Sequence, residues 1–77
     1  MDMEIIRQKK MLIARLKLAR LRRGLSQAEV ARRVGSQQPA IARMEAGQVS
    51  QVSLDFLCKV ALALRIAFVI QPERRAA

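Results

Sequence analysis

Histidine, tryptophan and tyrosine are absent from this 77-residue sequence, and cysteine occurs once, at Cys58. The lack of histidine removes the commonest general base and metal ligand. A lone cysteine forms neither an intrachain disulfide nor a CxxC motif, and its apolar surroundings favour a packed thiol. We therefore predict that the protein is not an enzyme and that it holds no metal or other cofactor.

Long hydrophobic runs are also missing. The longest apolar stretch, residues 60–70, is interrupted by Arg65 and falls short of the roughly 18 residues that a membrane span needs. The first residues carry several charges and no small-residue cleavage site, so they do not resemble a secretion signal. We expect a cytoplasmic protein with no membrane partner.

Acidic residues are few: six Asp and Glu stand against fifteen Lys and Arg, which gives a formal net charge of +9. Ten of the basic residues lie between positions 7 and 33, where Glu29 is the only acid. Soluble surfaces usually mix the two signs, so this one-sided charge indicates a polyanionic partner.

The hydrophobic fraction of 52% predicts a folded core despite the high charge. A domain of this length buries only about 60% of the surface that its unfolded chain exposes, which leaves it marginally stable alone. We therefore expect a single domain over residues 1–71, with a flexible tail over 72–77, and a partner subunit.

Hydrophobic spacing and capping signals predict three helices before residue 48. Residues 2–23 contain no Gly or Pro and form one long basic helix, whose core face carries Ile5, Leu12, Leu16 and Ala19. Ser26 and Glu29 form the S-x-x-E capping box that starts a second helix, ending at Gly35. A third helix starts at residue 37 or 38 and ends at Gly47.

A fourth helix is capped by Ser53, and its inner face carries Leu54, Leu57, Val60, Ala61 and Leu64. Residues 65–71 differ in character, because the run IAFVI is β-branched and aromatic and ends before Pro72. This composition predicts a short C-terminal β-strand with two apolar faces.

Two short helices joined by a tight turn, after a longer helix and before a closing one, are the arrangement of a helix-turn-helix DNA reader. Residues 16–64 resemble the lambda-repressor-like family of Cro/CI and XRE proteins through "GLSQAEVA" at 24–31, "IARMEAG" at 41–47 and "SLDFLCKVALAL" at 53–64. The resemblance implies an all-α bundle of four helices with its helix-turn-helix over residues 26–47. A fourth helix that runs straight into a strand is also similar to the antitoxin branch with HigA-like and HipB-like members.

The resemblance implies roles for matching residues. Arg20 and Glu45 match an ion pair that joins the first helix to the end of the third, and Gln27 matches a glutamine that clamps a DNA phosphate. In the family, the start of the third helix enters the major groove. There Gln38 can hold adenine and Arg43 can hold guanine through two hydrogen bonds each, and we expect both to face the groove.

Gln37, Pro39 and Ala40 complete the expected base-reading surface; Gln37 fits either a base edge or a phosphate. Proline pushes the residue before it out of the α region, so Gln38 is either the helix N-cap or a base reader. Further contacts to the DNA backbone are expected from Arg23, Gln48, Ser50 and Gln51.

These features together predict a sequence-specific, nucleoid-associated transcription regulator that binds a double-stranded DNA operator. We expect a homodimer joined through Ile66, Phe68 and Ile70 of the strand. The antitoxin resemblance implies autorepression and a RelE-like or HipA-like toxin as partner. Two alternatives remain: a stand-alone or phage-like repressor without a toxin, and a protein-interaction or membrane-surface module that uses the basic first helix.

A second apolar stripe on the first helix includes Met11, Leu18 and Leu21, at positions where resembling sequences carry polar residues. An apolar strip left in water promotes association. We predict that these three residues contact the toxin or, failing that, help the dimer. The alternative is packing inside the domain, against the fourth helix or the C-terminal strand.

Overall fold

The structure, a computed structural model, describes residues 2–67. Over that range the chain forms four α-helices and one short 3₁₀ turn. The helices are α1, Met3–Arg22; α2, Gln27–Val34; α3, Gln38–Glu45; and α4, Leu54–Ala63, with the 3₁₀ turn at Val49–Gln51. The predicted all-helical arrangement is confirmed over the described residues.

The helix starts follow the capping signals in the sequence. Ser26 Oγ accepts the Glu29 N–H, and the Glu29 carboxylate accepts the Ser26 N–H, each at 3.0 Å. Ser53 Oγ caps α4 by accepting the Phe56 N–H at 3.1 Å. Such side-chain bonds satisfy N–H groups that have no acceptor inside the helix, and so they fix where α2 and α4 begin.

The start of α3 differs from that of α2 and α4. Gln37 is the N-cap residue and makes no side-chain capping bond, so the alternative that Gln38 is the N-cap is wrong. Pro39 lies in the first turn, where its missing N–H removes no hydrogen bond inside the helix. Gln38 is therefore the first residue of α3.

All four helices end in the same backbone motif, in which an N–H just beyond the helix bonds to the carbonyl five residues before it. These bonds are Leu25 to Arg20, Ser36 to Ala31, Gln48 to Arg43, and Ile66 to Ala61, at 2.8 to 3.3 Å. The motif needs a left-handed residue, which is Gly24, Gly35 or Gly47 in the first three cases. In the fourth case it is Arg65, with φ of 56°.

The core receives side chains from every helix and from the 3₁₀ turn. Its buried members are Leu12, Ile13, Leu16, Val30, Ala31, Ile41, Met44, Val49, Val52, Leu57, Val60, Ala61 and Leu64. Two predicted core residues are exposed instead, Ile5 by 51% and Leu54 by 43%. Each lies in the first turn of its helix, and in α1 the neighbouring Ile6 packs against the core instead.

The predicted C-terminal strand is wrong for residues 65–67, which do not form a strand. Arg65 is left-handed, and Ile66 gives its N–H to the Ala61 carbonyl at 2.9 Å while its side chain packs against the core. Capping of α4 thus replaces strand geometry here. The rest of the predicted strand, with Phe68 and Ile70, lies outside the described residues, as does the predicted tail over 72–77.

None of the helices in residues 2–67 is long and apolar enough to cross a membrane.

Candidate nucleic-acid interface

A buried ion pair joins α1 to the end of α3. Arg20 Nε and Nη2 donate to the two carboxylate oxygens of Glu45 at 2.6 and 2.9 Å, and Nη1 donates to the Leu25 carbonyl at 2.7 Å. Arg20 is only 9% exposed. The guanidinium of Arg20 in α1 therefore contacts both the end of α3 and the turn that precedes α2. The predicted Arg20–Glu45 pairing is present.

Each residue of this pair stabilises the charged form of the other. Burial acts to raise the pKa of Glu45, but hydrogen bonds from Arg20 and from Gln27 outweigh it and hold that pKa below its usual range. The hydrogen bond to Glu45 raises the pKa of Arg20. Both groups are therefore charged at neutral pH, as a paired buried carboxylate and guanidinium should be.

Two glutamines extend the ion pair toward the surface. Gln27 Nε2 donates to Glu45 Oε1 at 3.0 Å, and Gln38 Nε2 donates to Gln27 Oε1 at 2.6 Å. Each glutamine is the first residue of its helix, α2 or α3. The result is a continuous chain of hydrogen bonds that connects buried Arg20 to exposed Gln38.

The bond between the two glutamines was not predicted from the sequence. The sequence predicts separate roles for them, a phosphate clamp for Gln27 and a base reader for Gln38. The sequence signal that was available is that each glutamine stands one residue after a helix N-cap, Ser26 or Gln37. Only the packing angle between α2 and α3 determines that two such positions meet.

The start of α2 can attract an anion. The capping box uses the N–H of Glu29, so the N–H groups of residues 27 and 28, the first two of the helix, have no acceptor within it. Such N–H groups point along the helix axis at its positive end, where phosphate groups bind. Gln27 therefore combines a backbone donor with a side chain already tied to Gln38.

The exposed side of α3 carries the predicted base-reading residues. Gln37, Gln38, Pro39 and Arg43 are exposed, and Ala40 is half-buried. Helical geometry of about 100° per residue places Gln38 and Arg43 roughly 140° apart around the axis. They therefore flank the exposed face on opposite sides, with Pro39 between them, and do not form a single stripe.

The loop after α3 presents three exposed polar residues, Gln48, Ser50 and Gln51, around buried Val49. Lys9 of α1 reaches this loop: its Nζ donates to the Val49 carbonyl at 3.3 Å and to the Val52 carbonyl at 2.7 Å. The sequence held no local signal for this contact, since the partners are 40 and 43 residues apart.

The second apolar stripe of α1 is exposed, with Met11, Leu18 and Leu21 at 43%, 46% and 54%. Within residues 2–67 none of the three belongs to the core cluster, and most of the predicted C-terminal strand, one of the two packing partners in the alternative, lies outside the described residues. Leu18 also lines an open groove of about 480 Å³, together with Arg15, Ala19, Arg22, Arg23 and Ile66. Arg23, predicted to contact the DNA backbone, thus lies at this groove.

Within residues 2–67, no group of three or more Cys, Asp or Glu side chains is placed to hold a metal ion.

Residues 16–70 match a protein-family model described as helix-turn-helix, which covers α2, α3, α4 and the C-terminal part of α1. No curated protein and no solved structure matches the chain.

Proposed function

The chain belongs to the helix-turn-helix family of DNA-binding transcription regulators, and on that premise we propose that it reads a double-stranded operator with the exposed face of α3. The observation that carries the proposal is the chain of hydrogen bonds from Arg20 through Glu45 and Gln27 to Gln38. A base-reading side chain discriminates best when its orientation is set before binding, and here a buried ion pair sets it.

The two flanks of α3 have complementary chemistry for base edges. The Gln38 carboxamide can bond adenine through one donor and one acceptor, and the Arg43 guanidinium can bond guanine O6 and N7 through two donors. Ala40 and Ala42 are small, so the helix backbone can approach the base pairs closely. Gln27 at the start of α2 supplies a phosphate contact that fixes register without reading sequence.

We propose a homodimer, because α3 has only eight residues and a reading helix of this kind covers a single half-site. A second copy would place another reading helix about 34 Å away, one turn of DNA further on. Ile66 already packs against its own core, so we assign the dimer contact to Phe68 and Ile70, on the basis of their apolar sequence alone.

For the partner protein we retain the antitoxin hypothesis, in which the protein represses its own operon and binds a RelE-like or HipA-like toxin. The stripe of Met11, Leu18 and Leu21 is exposed, and the groove beside Leu18 has a basic rim formed by Arg15, Arg22 and Arg23. Such a surface fits a partner segment that combines apolar and acidic side chains. A stand-alone repressor would lack this partner, and a neighbouring reading frame for a small toxin distinguishes the two.

The experiment that tests the DNA-reading surface is an NMR titration of the labelled protein with a mixed-sequence DNA duplex. We expect the largest amide shifts at residues 27–28, 37–38, 40–43 and 48–51. The exposed stripe of Met11, Leu18 and Leu21 serves as the internal reference and should shift little. Shifts concentrated on that stripe, with none on α3, would contradict the assignment and favour binding through the basic surface of α1.

A further inference from the structure

We propose that Lys9 is a positioning residue for the DNA-backbone loop, Gln48–Gln51, and that the part of α1 before residue 16 thereby supports the DNA-binding surface without contacting DNA through Lys9. This inference rests on the proposed function, because it assigns a role in binding nucleic acid. The family match begins at residue 16, so Lys9 lies outside the matched part of the chain, whereas its partners Val49 and Val52 lie within it.

The geometry places Lys9 across the loop. Its Nζ bonds to the carbonyls of Val49 and Val52, and these two residues enclose Ser50 and Gln51, which are exposed. An ammonium group that bonds two carbonyls on either side of a two-residue segment restricts the backbone between them. Charge-assisted bonds of this kind are stronger than those between neutral groups.

Burial of the surrounding side chains strengthens this restriction. Val49 and Val52 belong to the same core cluster as Leu12 and Ile13 of α1. The side chains of the two valines are buried in the core, while Lys9 bonds to their backbone carbonyls. The exposed pair between them is thereby presented outward with little freedom, which is what a neutral contact to phosphate oxygens requires.

Lys9 and Lys10 provide a matched pair of variants. Lys9→Met removes the ammonium group and keeps an apolar stem of similar length, while Lys10→Met removes the same charge from the exposed neighbour. For a mixed-sequence duplex, we expect Lys9→Met to weaken binding about 3- to 10-fold more than Lys10→Met does. An equal loss in the two variants would overturn the proposal, since it would reflect net charge alone.

The salt dependence of binding separates positioning from direct contact. If Lys9 acts through neutral Ser50 and Gln51, the slope of log affinity against log salt in Lys9→Met should equal that of Lys10→Met. A slope lower by about 0.9 than that of the control would show that Lys9 itself neutralises a phosphate, and would overturn the positioning role.

Amide hydrogen exchange without DNA tests the loop independently of the proposed function. Lys9→Met should speed exchange at Gln51 and Val52, whose N–H groups bond to the carbonyls of Gln48 and Val49, and leave core amides of α2 unchanged. Unchanged exchange at the loop would refute the inference even if DNA binding is intact. Faster exchange at the loop in a protein that binds no duplex would instead show that the proposed function, and with it the role in DNA binding, is wrong.

Discussion

Replacement of Arg20 by methionine should strongly destabilise the fold. The substitution removes three hydrogen bonds, two to Glu45 and one to the Leu25 carbonyl. It leaves a carboxylate whose side chain is only 4% exposed with Gln27 as its remaining side-chain donor. Removing one partner of a buried pair costs about 3–5 kcal/mol, because the other charge stays buried without compensation.

That cost is large beside the stability available. At about 0.05 to 0.15 kcal/mol per residue, a chain of 77 residues has a free energy of unfolding of roughly 4 to 12 kcal/mol. Urea unfolding followed by far-UV circular dichroism, with linear extrapolation to water, measures the difference. We expect a clear fall in the urea midpoint with an unchanged m-value.

The double variant Arg20→Met with Glu45→Met is the control. It replaces both charges by apolar side chains, and such replacements are often close to neutral. We expect the double variant to be more stable than Arg20→Met alone. If the single variant loses less than about 1 kcal/mol, the value for an exposed pair, or if the second substitution adds a further loss, our reasoning about the ion pair is refuted.

The same pair predicts how stability depends on pH. In the native protein the pKa of Glu45 lies below its usual range. The contribution of ionised Glu45 to the free energy of unfolding is therefore complete above the pKa that a glutamate has in the unfolded chain, about 4.3. That contribution is lost as the pH falls through the lower pKa of the folded state. In Arg20→Met the principal donors are gone and burial raises the pKa of Glu45, so acid should relieve the destabilisation. The difference between the two proteins should therefore shrink below pH 5.

Two further predictions concern α4 and α1. Arg65→Gly should raise the free energy of unfolding by about 1 kcal/mol, because glycine adopts the left-handed conformation at the end of α4 without steric cost; a lower Tm in a thermal scan would show that the arginine side chain stabilises this turn. Leu18→Glu combined with Leu21→Gln should leave Tm unchanged, because both side chains are exposed, and should abolish binding of the toxin segment that carries apolar and acidic side chains. A large fall in Tm would instead show that the stripe is part of a core.

Local signals in the sequence predicted most of the helical bundle. Ser26, Glu29 and Ser53 fixed two helix starts through bonds that span only three residues. The prediction of a β-strand at residues 65–67 was wrong for a physical reason. The β-branched run favours a strand, but the orphan carbonyls at the end of α4 are satisfied when Ile66 donates back to Ala61.

The candidate site was less predictable where it depends on tertiary packing. The Arg20–Glu45 pairing came from the family resemblance, since 25 residues separate the partners and no local rule joins them. The bonds from Gln38 to Gln27 and from Lys9 to the loop after α3 require the relative placement of two elements. Residue types and helix periodicity alone do not provide that placement.

The measurement that tests the central claim most directly is a selection from randomised DNA duplexes, carried out in parallel with the native protein and with Arg43→Ala. We expect the native protein to enrich an inverted repeat with half-sites one helical turn apart. Arg43→Ala should lose about 1–3 kcal/mol on that site and lose its preference at one base pair in each half-site. No enriched sequence for the native protein, or an identical base preference for the variant, would contradict the account of α3 as the reading helix.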